Sequence, residues 1–122
     1  MQVTRKELIY IHRRIWDEVK NVIHDGLKPD STDLQLMKDS YIFDMLDKNE
    51  VSEVALAFVY RHSSCVFCAL YSADFCNNCL LHDCASPESL YQLVLKGSEQ
   101  ACVKIRDLIY EADIPEYIEI PE

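Results

Sequence analysis

The sequence predicts a mostly α-helical protein built as one small domain, and three observations carry that prediction. Apolar residues recur at helical spacing, capping residues stand where the apolar stripes begin, and turn formers are scarce, with two glycines and four prolines. The 122 residues suit a single hydrophobic core, and an apolar fraction of 49% with 27% charged residues argues against disorder. The chain divides into a helical N-terminal part (1–60), a cysteine-rich segment (61–85), C-terminal helices (86–112) and an acidic tail (113–122).

Thr4-Arg5-Lys6-Glu7 has the capping-box form, a side-chain acceptor three residues before a Glu that can reach back. Leu8, Ile11, Ile15, Val19 and Val22 then share a face that Ile9, Trp16 and Ile23 widen. Gly26 can supply a left-handed stop and Pro29 blocks continuation, so a first helix is expected over about 4–25. Arg13 and Arg14 are expected on its solvated side. Asp30-Ser31-Thr32-Asp33 offers N-caps and a negative first turn. Leu34, Met37, Tyr41 and Met45 follow on one face, with Ile42 and Leu46 beside it, giving a second helix over about 32–47. Asp47-Lys48-Asn49 reads as a break. Val54 to Tyr60 is apolar all round and is expected to be buried, as helix, because Ala and Leu favour helix and strand partners are few.

Ser86-Pro87-Glu88 reads as a helix start, with a capping Ser and a Pro whose missing N–H costs nothing there. That helix should end near Gly97. Ser98-Glu99 opens another, with Ala101, Ile105, Leu108 and Ala112 on one face and Cys102 and Ile109 adjoining. Cys102, on that stripe, reads as a core thiol. Pro115 ends the helix, and the tail from Glu116 is expected to be extended and docked by Ile118 and Ile120, or frayed.

The net charge of −9 is unevenly spread. Residues 1–28 carry six Lys/Arg against four Asp/Glu, residues 29–60 two against seven, and residues 98–122 again two against seven. Nucleic-acid phosphate needs a basic footprint, and the bases of helix 1 (Arg5, Lys6, Arg13, Arg14, Lys20) are diluted by Glu7, Asp17 and Glu18. The acid surplus suits instead a basic protein partner or simple solubility, with a homo-oligomer as a use of the apolar surplus. Asp30, Asp33, Asp39, Asp44, Asp47, Glu50 and Glu53 form a strip that either mimics nucleic acid or is a solvated helix face. No apolar run is long enough to span a bilayer, and the N-terminal stretch is charged and amphipathic, not a secretory leader. The expected location is therefore intracellular and cytoplasmic, where clustered cysteines serve as metal ligands, core residues or redox groups more often than as disulfides.

Five of the six cysteines fall between Cys65 and Cys84, in the pattern C-x2-C-x7-C-x2-C-x4-C. Two intervening residues let both thiolates of a pair reach one ion from a tight turn, and a second pair completes a tetrahedron. The expected zinc ligands are Cys65, Cys68, Cys76 and Cys79, with Cys84, His82 and His62 as alternates. Four cysteine ligands leave no open coordination position, so such a zinc is structural, and the fold class sharpens to a helical domain stapled by a cysteine-ligated zinc module. If 65–70 is helical, Cys65 and Cys68 share a face and could instead pack as small apolar groups.

From Cys65 to about Ala112 the chain resembles short CxxC…CxxC proteins predicted in bacteriophage genomes. The matching residues are Cys65, Cys68, Cys76, Cys79 and Cys84, then Ser86-Pro87 and Tyr91, then the Ala101–Ala112 helix. Val66 and Leu80 stand where that pattern commonly has proline. The resemblance implies a small phage-encoded accessory protein with a metal-stapled fold, working in the host cytoplasm, and it implies no activity.

Enzymatic readings find little to stand on. Asp74 and Asp83 lie near the cysteines, but neither H-x-E nor H-E-x-x-H occurs, and the sequence has no phosphate loop, dinucleotide turn or nucleophile elbow. His12, His24, His62 and His82 are the acid–base candidates, with His12 and His24 read as surface or boundary residues of helix 1. The functional expectation is a non-catalytic interaction protein with structural zinc and, if phage-encoded, an inhibitor of a host or defence protein. The alternatives are a nucleic-acid-binding zinc module and a thiol redox protein using Cys65/Cys68 or Cys76/Cys79.

Overall fold

The capping box forms as its sequence dictates. Thr4 accepts from the Glu7 amide at 3.2 Å while Glu7 accepts from the Thr4 amide at 3.1 Å, and α1 runs Arg5–His24 from that point. The structure, a computed structural model, describes residues 1–71 and 89–120. After α1 come α2 (Ser31–Asp47), α3 (Glu53–Tyr60), α4 (Val66–Tyr71), α5 (Leu90–Leu95) and α6 (Glu99–Leu108), which a 3-10 turn (Ile109–Glu111) extends. Asp30, Ser52, Ser89 and Ser98 cap α2, α3, α5 and α6, each accepting from the amide three residues on. Gly26 and Gly97 adopt φ +99° and +89°, the left-handed stops that end α1 and α5. The expected start at 86–88 lies outside the described residues; the described helix begins at Leu90.

α1 is the central element and packs against α6, α2, α3 and α4. Leu8, Ile11, Ile15, Trp16, Val19 and Ile23 form its buried stripe, met by Ala101, Cys102, Ile105 and Ile109 from the C-terminal side. Cys102 is fully buried, and burial pushes its thiol up to about 11, as befits an inert core group. Two short strands tie the chain ends: β1 (Gln2–Thr4) pairs antiparallel with β2 (Tyr117–Glu119), Val3 opposite Ile118. The tail is thus extended, and the partner strand at 2–4 is an addition to the sequence reading. No helix among the described residues is long and apolar enough to cross a membrane.

Two expectations need correction. His12 is a core residue, 1% exposed, because it falls on the same stripe as Leu8 and Ile15. Its Nε2 lies 2.8 Å from the Ile105 carbonyl, so it is the N–H donor, and its ring meets Phe67 edge-on at 4.7 Å between centroids. His24 is exposed, as expected, and pairs with Glu99 at 2.8 Å. Second, the Val54–Tyr60 helix is not buried all round. Ala55, Leu56 and Val59 face inward, whereas Ala57 and Tyr60 are exposed, since a two-turn helix laid on α1 and α2 keeps one side outside. Leu46 likewise turns outward on α2.

Candidate metal centre

The turn that delivers Cys65 is held from outside. Ser63 and Ser64 adopt φ 63° and 53°, left-handed values that cost a residue with a Cβ roughly 1–2 kcal/mol each. α2 supplies the restraint. Gln35 Nε2 donates to the Ser63 carbonyl and to Asp39 Oδ1, both at 3.0 Å, and the buried Ser64 hydroxyl donates to Asp39. The chain then enters α4, with the Cys65 amide donating to the His62 carbonyl at 3.2 Å and the Cys65 carbonyl accepting from Ala69 at 3.0 Å.

This start of α4 brings Cys65 and Cys68 together. The Cys68 thiol donates to the Cys65 sulfur, and that contact is the main reason the Cys65 thiol sits well below the ordinary cysteine range. Burial opposes the shift, while the charge of Lys38 and the amides of Cys68 and Phe67 reinforce it. Cys65 is buried and Cys68 half-buried. Neighbouring sulfurs three positions apart, one of them accepting from two backbone amides, suit a soft divalent cation that binds thiolates.

Lys38 is the residue the sequence reading missed. It is 4% exposed and has no carboxylate ion pair among the described residues. Its ammonium lies 5.6 Å from the centroid of the Tyr91 ring, where the π face favours a cation, and its field reaches both Cys65 and His12. The signal was present: Lys38 occupies the Leu34–Ile42–Met45 stripe of α2, the buried face. Near this cation a negatively charged sulfur centre is favoured and a protonated His12 is not.

The remaining expected ligands fall outside the described residues: Cys76 and Cys79, and the alternates His82 and Cys84. His62 packs its ring on Phe58, 5.6 Å between centroids. Among the described residues no three His, Cys, Asp or Glu side chains gather to hold an ion.

Several charges elsewhere are paired. Arg14 contacts Glu18, Asp44 Oδ2 at 3.1 Å and Glu50 Oε2 at 3.5 Å; Arg5 pairs with Glu116 and Arg106 with Asp17. The acidic strip is interrupted, because Asp30 caps a helix, Asp39 holds the Ser63–Ser64 turn, and Asp44 and Glu50 bind Arg14. No family model matches this chain, and no curated protein or solved structure is significantly similar to it.

Proposed function

We propose that this chain is a non-catalytic protein-interaction protein whose fold is stapled by one structural zinc ion, a phage accessory protein that binds and inhibits a host or defence protein. The observation that carries the metal part is the paired sulfurs of Cys65 and Cys68, hydrogen-bonded to each other beside the buried Lys38. Cys76 and Cys79 complete the proposed set, with Cys84, His82 and His62 as alternates. A tetrathiolate zinc carries net negative charge, which the neighbouring ammonium offsets. The interaction part is supported by the net charge of −9 and by apolar side chains left on the surface of α2 and α3.

Metal content tests this reading. One zinc per purified chain, and a melting temperature that drops when a chelator removes it, are the expected results. Metal-free protein whose melting curve ignores chelator contradicts it.

The lowered Cys65 thiol favours a second reading, a thiol redox protein. One sulfur of the pair would attack a substrate disulfide and the other would resolve the mixed disulfide, leaving the substrate reduced and the pair oxidised. Zinc-loaded protein with blocked cluster thiols removes that reading, and metal-free protein that reduces a model disulfide supports it.

A further inference from the structure

α2 has two apolar sides and only one of them meets the core. Leu34, Ile42 and Met45 are buried, while Leu36, Phe43 and Leu46 remain 62%, 53% and 37% exposed. Leu36 and Phe43 are seven residues apart, two helical turns, and so continue one stripe. α3 adds Tyr60, 44% exposed, whose ring lies 5.3 Å from that of Phe43. Between the two helices runs a groove of about 340 Å³, lined by Phe43, Leu46, Leu56, Ala57 and Tyr60 with Glu53 at its edge.

Among the described residues, the charged side chain that lines this groove is an acid, Glu53. Residues 29–60 hold two lysines, and neither offers a free cation: Lys38 is buried against Tyr91, and Lys48 pairs with Asp44 at 3.1 Å. Arg61 lines an adjoining cleft with Val54 and Phe58, one that shares Glu53 and Ala57 with this groove. Asp47, one turn beyond Phe43, and Glu53 are exposed and have no ion-pair partner among the described residues. A second copy of the chain would bring a second charge of −9 to the same place, and anionic lipid or nucleic acid would be repelled.

We propose that the outer face of α2 and α3 is a docking groove for a basic amphipathic helix of a partner protein. The inference rests on the interaction reading above and names its surface. Two helices with apolar side chains between them accept a third as a ridge into a groove, and the partner's i, i+4 and i+7 residues meet Phe43, Leu46 and Tyr60 while its lysines or arginines meet Asp47 and Glu53. The acid rim selects a basic helix and rejects an acidic one.

The test uses the full chain, zinc-loaded if it binds zinc, and a fluorescent amphipathic peptide of leucine and lysine. A scrambled peptide of the same composition and a leucine–glutamate counterpart serve as controls. The proposal expects backbone amide shifts concentrated on α2 and α3. Scrambling should weaken affinity by about tenfold or more, and so should the Phe43→Ser/Leu46→Ser double variant. Tyr110→Ser, at an exposed ring elsewhere, should change nothing. Asp47→Lys/Glu53→Lys, which leaves the apolar residues in place, should weaken binding about as much and flatten its salt dependence. Unchanged affinity in both double variants overturns the proposal, as does dimerisation of the chain that the serine variant abolishes. Shifts confined to another face overturn this surface and leave the interaction reading standing. Failure of every peptide to bind anywhere counts against both.

Discussion

His12 makes the stability of this fold pH-dependent. The ring is buried on α1, donates to the Ile105 carbonyl and stands in the field of Lys38. Burial chiefly, and then Lys38, push its pKa down to about 4 from 6.5, against an opposing effect of the Ile105 hydrogen bond. Above pH 6.5 the ring is neutral in both folded and unfolded chains, and its full contribution is present. As the pH falls, the unfolded chain takes up a proton that the folded chain refuses until about pH 4. At about 1.4 kcal/mol per pH unit, that interval removes about 3 kcal/mol of stability, a large share of what holds a small domain together. Urea denaturation of wild type and His12→Gln across this range isolates the effect, because the glutamine amide can still donate to Ile105 but does not titrate. The stability difference between the two should shift by about 3 kcal/mol between pH 6.5 and 4, with His12→Gln the less acid-sensitive. Parallel curves for the two proteins, or an NMR titration placing His12 near 6.5, would refute the reasoning.

Other perturbations test other parts of the structure. Lys38→Met should weaken zinc binding by roughly tenfold or more in a chelator competition, while metal-free stability holds or rises, since an apolar side chain replaces a buried charge. If both quantities fall together, Lys38 is only a packing residue. Arg14→Met should cost about 1–2 kcal/mol in chemical denaturation, more at low salt, because Glu18 and Glu50 then lose their cation and Asp44 keeps only Lys48. Glu7→Ala should cost about 1–2 kcal/mol, because its carboxylate serves the Thr4 amide and also the Ser52 amide, at 3.1 Å, at the start of α3. Ser63→Gly should stabilise the chain by up to about 1 kcal/mol by relieving a left-handed backbone.

Much of the fold was legible because the helix ends carry their signals locally. Thr4 with Glu7, Asp30, Ser98, Gly26 and Gly97 act where their chemistry places them. Strand β1 was not legible: three residues are too few to show a period, and the pairing partner lies at 117–119. His12 was misjudged by residue type and Lys38 was passed over. Each sits in phase with an apolar stripe, and phase won over polarity because a carbonyl receives the first and an aromatic ring with a thiol receives the second. At the candidate centre, Cys65 and Cys68 share a face because the chain from Val66 is helical, the condition under which the sequence also allows them to pack as small apolar groups. The left-handed Ser63–Ser64 turn and its Gln35 and Asp39 braces depend on contacts with a distant helix, beyond the reach of any local pattern.

The proposed sulfur-bound clamp is tested most directly by zinc K-edge absorption on the protein purified without added metal. The account predicts one zinc per chain in a shell of four sulfurs at about 2.3 Å. An absent edge, or a shell dominated by nitrogen and oxygen, would contradict it.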